Sequence, residues 1–428
     1  MDKTDKKYQQ FVEILKDELV PAMGCTEPIS IAYAAAKGRE VLGEIPKKVV
    51  IDVSGNIIKN VKSVIVPNTG GLKGISAAAA AGIIAGNSEL KLEVISKVSE
   101  QEIIHIKEFL NTCEFSVNFS DSSNIFDIFI TLYGETSFVK IRIVKYHTNL
   151  VYLEKDGLVI IDLSNDETPE SEHSQVDKQL IDVESILDFA DSVDLDDIRQ
   201  IIGRQIEYNM AIAKEGLKND YGANIGSVIL KSYDGNDIKI KAKAYAAAGS
   251  DARMSGCELP VVIVSGSGNQ GMTTSIPVIV YAQELQVSEE QLYRALIVAN
   301  LITIHQKTFI GRLSAFCGAV SAGCGAAAGI VYMQGGDYRA VAHTIVNGIA
   351  IASGIVCDGA KASCAAKIAT AVDAGLLGLC MYKENQQFRG GDGLIIKGVE
   401  NTIANIGRLG REGMKETDKE IMRMMVNI

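Results

Sequence analysis

LSAFCGAVSAGCGAAAGIVYMQGG, residues 313–336, carries no charged side chain and few large apolar ones. Ala, Gly, Ser and Cys are small enough to let helices approach closely, so the stretch reads as a helix buried inside protein and not as one crossing a bilayer. Residues 259–283 are likewise uncharged, are interrupted by SGSGNQGMTTS, and read the same way. From about Glu184 onward the sequence is predominantly helical, with Gly punctuating long runs of small apolar residues. That composition predicts a helical domain whose helices pack closely, with no heptad array and no repeat of fixed period.

Upstream, residues 11–20 and 29–42 read as two helices separated by PAMGCTEP, where Pro21, Gly24 and Pro28 interrupt regular structure and put Cys25 on a tight connection. Residues 48–53 and 61–66 alternate β-branched side chains around Ser54-Gly55-Asn56 and predict a hairpin. PNTGGLKG, residues 67–74, then leads into a helix over 75–85. A strand is expected over 92–98, a helix over 99–110 with Ser99 and Glu102 as a capping box, and further strands over 115–119, 126–133, 138–146 and 151–153. SNDETPESEHSQVD, residues 164–177, is the linker candidate. The expected class is α+β, a mostly helical catalytic domain packed with a smaller α+β domain. Residues 1–45 would be N-terminal helices of the catalytic domain, 46–183 the α+β domain with 67–88 reaching the active site, and 184–428 the helical domain.

A chain of 428 residues has room for two or three domains. Its net charge of -11, with no concentrated basic patch, argues against nucleic acid and against an anionic membrane surface. The charged N-terminus, residues 1–7, runs straight into an amphipathic stretch and lacks the apolar core of a secretory signal, so a cytoplasmic protein is expected. Eight cysteines are too few for a disulfide scaffold, and six of them (257, 317, 324, 357, 364 and 380) crowd the C-terminal half.

Cys317, Cys357 and Cys364 form the strongest constellation. Thiolates are the preferred ligands of iron–sulfur clusters, and a cubane held by three of them keeps one iron open to substrate. Spacings of 40 and 7 residues match neither a ferredoxin run nor paired zinc knuckles, and any one cysteine also reads as a small buried apolar residue. Cys357 and Cys364 flank the polar segment DGAKAS, which packing cysteines do not need. Cys324, one heptad after Cys317, is a rival ligand; Cys257 and Cys380 read as packing residues. Two glycine loops offer backbone amides to an anion such as an α-carboxylate, or serve only as turns. One holds Asn68, Thr69, Gly70 and Gly71; the other holds Ser265, Ser267, Asn269 and Gln270. His305, close before Cys317 with Lys307 and Arg312 between, would orient a carboxylate or assist proton transfer, or else is a core histidine. His105, His147 and His173 read as surface or sheet residues, and His343 as part of an apolar helix.

MGCTEPIS at 23–30, PNTGGLKG, SGSGNQG at 265–271, the three cysteines, FRGGDGL at 388–394 and GVENTIANIGRLGREGM at 398–414 resemble the L-cysteine desulfidase family over nearly the whole chain. That family is related to the alpha chain of iron–sulfur L-serine dehydratases. The resemblance implies a [4Fe–4S] cluster on Cys317, Cys357 and Cys364, and Cys25 as the base that removes the α-proton. It implies a β-elimination lyase converting L-cysteine to pyruvate, ammonia and sulfide. For Cys25 to act so, a thiol of lowered pKa is expected on its turn, with Glu27 either raising its basicity or capping the next helix. Pyridoxal phosphate is not expected, since no lysine stands in a Schiff-base context. L-Serine dehydration on the same residues, a non-catalytic iron–sulfur sensor and a transport or binding protein are the alternatives. The expected partner is a small amino acid, with no nucleic acid and no membrane; a homo-oligomer stays open.

Overall fold

The structure, a computed structural model, describes residues 1–120, 122, 124–163 and 181–426. The acidic segment 164–177 and His173 lie outside the described residues. The first part of the chain runs α1 (Lys6–Glu18), β1 (Pro21–Met23), α2 (Thr26–Leu42), β2 (Lys48–Val53), α3 (Gly55–Val61), α4 (Ile75–Ala85) and α5 (Glu100–Thr112). Strands β3 (Glu114–Phe119), β4 (Asp127–Tyr133), β5 (Phe138–Val144), β6 (Leu150–Lys155) and β7 (Leu158–Asp162) follow. Next come α6 (Val183–Ser192), α7 (Arg199–Lys218), α8 (Ile225–Ser232), α9 (Ile238–Met254), β8 (Pro260–Val262), α10 (Gly268–Leu285) and α11 (Glu289–Ile310). The chain finishes with α12 (Gly318–Met333), α13 (Tyr338–Ala352), α14 (Cys364–Lys383), α15 (Val399–Arg408) and α16 (Lys415–Val426).

This is the expected α+β class, with a mostly helical body and a smaller mixed sheet. Small residues determine how closely the body packs. A Cβ on Gly323 of α12 would lie 2.3 Å from the carbonyl oxygen of Ala371 in α14, and one on Gly375 would lie 2.4 Å from that of Gly323. The backbones therefore touch, and α11, α13 and α14 close around α12. Among the described residues, α14 has the length and apolar composition of a membrane span, but 56% of its most apolar stretch is buried inside the protein. Residues 259–283 and 313–336 supply the buried helices α10 and α12, as their composition predicts.

The sheet has the order β3-β2-β4-β5-β6-β7, with β2 parallel to β3 and the other pairs antiparallel. Alternation fixes its faces: Val49, Ile51 and Val53 of β2 point into the core beside Ile128, Ile130 and Leu132 of β4. Helices α2 and α4 cover that face, and they approach so closely that a Cβ on Gly82 would lie 2.0 Å from the carbonyl oxygen of Ala32. The N-terminal 45 residues are divided between the cores. Helix α1 buries Phe11 against Phe189 in the helical body, with ring centroids 4.8 Å apart, whereas α2 belongs to the sheet's core.

Two expectations about local structure fail. The segment 48–66 is not a hairpin: after the single strand β2 the chain forms the helix α3, which is buried throughout with Ile57, Ile58 and Val61 in the core. A short apolar run does not distinguish strand from helix by itself. Residues 92–98 form no strand: a 3₁₀ helix spans Ser88–Glu93, and the carbonyl of Ile95 accepts from the Asn68 side chain instead of a strand neighbour.

Two short pairings bring distant segments together. β1 pairs antiparallel with β8, Ala22 opposite Val261, which sets the turn at Cys25 beside residues 263–270. Phe316 bridges Val356, with the Cys317 amide donating to Ile355 and the Cys357 amide donating to Ala315, which sets Cys317 beside Cys357.

Candidate active site

Both pairings border one cavity of about 120 Å³ between the helical body and the sheet lobe. Cys25, Cys317, Cys357 and Cys364 line it, as do Ser265, Ser267, Asn269 and Gln270. Four helices begin at its wall: Cys25 caps α2, Ser267 caps α10, Cys317 caps α12, and Cys364 opens α14. Helix N-termini present unpaired N–H groups and partial positive charge, so the cavity favours anions. Its side chains add to this. Lys59, Lys145, Arg253, Lys307, Arg312 and Lys367 line it against the carboxylates of Glu27 and Asp358, in a chain whose net charge is -11. An adjoining cavity of about 620 Å³ shares Phe126, Ser265, Lys307 and Arg312 with it.

The turn Val264-Ser265-Gly266-Ser267 carries positive φ at both central residues, 49° for Ser265 and 79° for Gly266. Serine rarely adopts that conformation, and here the turn brings the Gly266 carbonyl to accept from Thr26 Oγ1 at 3.0 Å. Ser267 Oγ then accepts from the Gln270 amide, opening α10.

The Cys25 thiol donates to Glu27 Oε2 at 3.2 Å, and Glu27 Oε1 accepts from Asn60 Nδ2 at 3.0 Å. Burial and the adjacent Glu27 charge push the thiol well above its ordinary pKa, although Arg253 and the Glu27 backbone amide act in the opposite direction. This corrects the expectation of a lowered pKa: the thiol is protonated at neutrality, and Glu27 is the group placed to take its proton. Glu27 acts as partner to Cys25, not as a cap, since α2 has no side-chain cap hydrogen bond.

The donor set fits a three-thiolate cluster. Cys317, Cys357 and Cys364 face one cavity from two helix starts and the bridge between them. Burial, then the neighbouring Cys357, pushes the Cys317 thiol up to about 12, and burial raises Cys364. Thiols crowded in this way bind a metal by releasing protons, and the helix N-termini, Lys307 and Lys367 favour the resulting thiolates. Among the described residues no trio of His, Cys, Asp and Glu gathers where a single ion would sit. A [4Fe–4S] cubane takes one thiolate per iron, so its ligands surround it instead of converging on a point. The loop between Cys357 and Cys364 is held by Asp358, which pairs with Lys361 and Lys367.

Several predicted residues lie elsewhere. Asn68, Thr69, Gly70 and Gly71 do not line the cavity, and neither does the helix that follows them. Asn68 donates to Ile95 and Thr69 to Val66, so their side chains tie down their own loop. That loop buttresses Cys25 from behind, for Gly24, at φ 56°, packs on Pro67, whose ring would be 2.1 Å from an added Cβ. His305 is also outside: its Nε2 is 2.7 Å from Glu400 Oε2, joining α11 to α15. Cys324 packs α12 against α13 near Gly348, with its thiol pushed up to about 12 by burial alone, and does not line the cavity.

Other cavity residues are not singled out by sequence, and His147, which reads there as a surface or sheet residue, is instead buried in the cavity wall. His147, on the β5–β6 connection, is buried with its Nε2 unpartnered and its ring edge-on to Phe126. Burial lowers its pKa to about 4, helped by Arg312 and Arg253 and opposed by Glu27. Lys59 reaches the cavity from α3 and pairs with Asp418 of α16. Arg253 ends α9, and its one local cue was a charge in the alanine-rich run AYAAAGSDARM.

Comparison with known proteins identifies the chain's relatives. The family described as serine dehydratase alpha chain matches residues 89–423, a span that includes all three cavity cysteines of the helical body. A UPF0597 protein of Desulfitobacterium hafniense is 62% identical over 427 residues, covering 100% of this chain and 99% of its own. A UPF0597 protein of Lachnoclostridium phytofermentans is 51% identical over 421 residues, covering 98% of this chain and 100% of its own. One of Treponema denticola is 48% identical over 430 residues, covering 98% of each.

Proposed function

The chain belongs to the serine dehydratase alpha chain family, and from that premise we propose that it is a cytoplasmic iron–sulfur lyase eliminating the β-substituent of L-cysteine. The observation that carries this reading is the meeting of Cys25, Cys317, Cys357 and Cys364 on one cation-lined cavity, although they are scattered from residue 25 to residue 364. Cys317, Cys357 and Cys364 would hold a [4Fe–4S] cluster, which when bound supplies an open iron acting as a Lewis acid on the leaving sulfur.

The chain's own residues do the rest. Glu27 takes the thiol proton of Cys25 through the hydrogen bond already formed, and the freed sulfur removes the α-proton of the substrate. The Cα–H electron pair forms the double bond as the Cβ–S pair leaves with sulfide, giving aminoacrylate. Tautomerisation and hydrolysis convert aminoacrylate to pyruvate and ammonia, and no pyridoxal phosphate is needed.

L-Serine dehydration on the same residues is the second reading, favoured by the family description. A soft thiol suits iron better than a hydroxyl, which favours cysteine. The test is anaerobic purification with iron and sulfide quantification, followed by assays of both amino acids. Sulfide and pyruvate from cysteine exceeding pyruvate from serine supports the first reading; the reverse selects the second. A loaded protein that turns over neither removes both. Full iron in Cys317→Ala, Cys357→Ala or Cys364→Ala would remove that residue from the ligand set.

A further inference from the structure

We propose that Arg253 and Gln270 grip the backbone of the amino-acid substrate, Arg253 taking the α-carboxylate and Gln270 the α-ammonium. The inference rests on the lyase reading for its substrate class. Arg253 is 2% exposed, its Nη1 donates to Asn269 Oδ1 at 3.2 Å, and its Nε is buried without a partner. Among the described residues no carboxylate pairs with it. A buried cation left unpaired is strongly unfavourable, so the site is built for an anion that arrives from outside.

Of the cavity's other cations, Lys145 is exposed to solvent and the rest have partners. Lys59 pairs with Asp418, Arg312 with Glu18, and Lys367 with Asp358. Lys307 donates to the Arg312 carbonyl and lies in the field of Cys317 and Cys357, on the side of the cluster thiols. Glu27 is occupied by Cys25, Thr26 and Asn60. Lys307 and Arg253 are thus the buried cations of the cavity without a carboxylate partner among the described residues; Lys307 lies by the cluster thiols, whereas the charge of Arg253 acts on Cys25. The α-carbon from which Cys25 takes a proton bears the carboxylate, so that carboxylate must lie close to Cys25. A guanidinium offers paired donors that match it.

Gln270 supplies the opposite polarity. Its carboxamide Oε1 is buried without a partner, as an ammonium acceptor should be. Glycines make room for both side chains. A Cβ on Gly268 would lie 2.4 Å from Arg253 Nε, and one on Gly318 would lie 2.6 Å from the Gln270 carboxamide carbon.

The experiment uses two fragments of cysteine that are not turned over: 3-mercaptopropionate, which lacks the amine, and cysteamine, which lacks the carboxylate. Binding of each to the cluster-loaded protein is measured by anaerobic calorimetry. Arg253→Gln is expected to weaken 3-mercaptopropionate about 100-fold and cysteamine less than about 3-fold. Gln270→Leu is expected to do the opposite, weakening cysteamine about 10-fold. Arg253→Lys, which keeps the buried charge and guards against misfolding, should weaken 3-mercaptopropionate about 10-fold. Equal effects on both ligands, no effect on either, or a parent protein that binds neither would overturn the proposal. A parent that shows Arg253-dependent binding yet releases no sulfide or ammonia from cysteine or serine overturns the lyase reading and leaves the grip standing.

Discussion

The Cys25 thiol points its hydrogen at Glu27 Oε2 across 3.2 Å, so the residue proposed as base rests in its protonated form beside its own proton acceptor. Base and acceptor are two residues apart at the start of α2, where the helix N-terminus favours the thiolate once it forms.

From this pair, Cys25→Ser should keep the hydrogen bond to Glu27 and the iron content while lowering kcat about 1000-fold or more, because a serine hydroxyl is a far weaker acid than a thiol and does not give up its proton to Glu27. Glu27→Gln should lower kcat about 10- to 100-fold with little change in KM, since it removes the proton acceptor and not a substrate contact. Steady-state kinetics beside iron quantification checks both. A serine variant within tenfold of the parent would take Cys25 out of the reaction.

The cluster-free protein should lose stability on mild acidification through His147. Burial depresses its folded pKa from 6.5 to about 4, so its contribution is present above 6.5 and is lost as pH falls from there toward 4. The full effect is about 3 kcal/mol for this buried ring. Urea unfolding at pH 7.5 and 4.5 should show the parent losing more than His147→Gln over that interval. Parallel losses would show that the ring is not the source.

Lys59 and Asp418 join α3 to α16 through a pair whose side chains are 1% and 13% exposed. Asp418→Ala should cost about 3 kcal/mol, because it leaves the ammonium buried and unpaired. The double variant Lys59→Met/Asp418→Ala should recover part of that loss, a coupling readable in a denaturation cycle. Strict additivity would mean that the two charges do not depend on each other.

Gly359 sits between two proposed ligands at φ 93°, and an added Cβ would fall 2.2 Å from the Lys59 carbonyl oxygen. Gly359→Ala should therefore displace the Cys357–Cys364 loop and bring iron content below about half of the parent's. Gly354→Ala, with nothing within 4 Å of its Cβ, serves as the control and should load normally. Equal iron in the two variants would show that the loop tolerates the shift.

Local chemistry fixes much of this molecule without any tertiary information. The alanine helix over 75–85, the Ser99–Glu102 capping box and the uncharged runs that become α10 and α12 follow from side-chain size and hydrogen-bonding habit within a few residues. The polar loop between Cys357 and Cys364 marked those thiols, and the Ser265–Gln270 loop stood out by composition. What spacing could not decide was which loops share a cavity. The β1–β8 pair and the Phe316–Val356 bridge make that choice by contacts between residues far apart in the chain. In the folded chain Cys25 and Ser265–Gln270 share the cavity, Asn68–Gly71 forms a buttress, His305 meets Glu400, and His147 and Arg253 join the lining. A side chain's type can be read locally. Its direction and its partners depend on backbones that meet only in the folded protein.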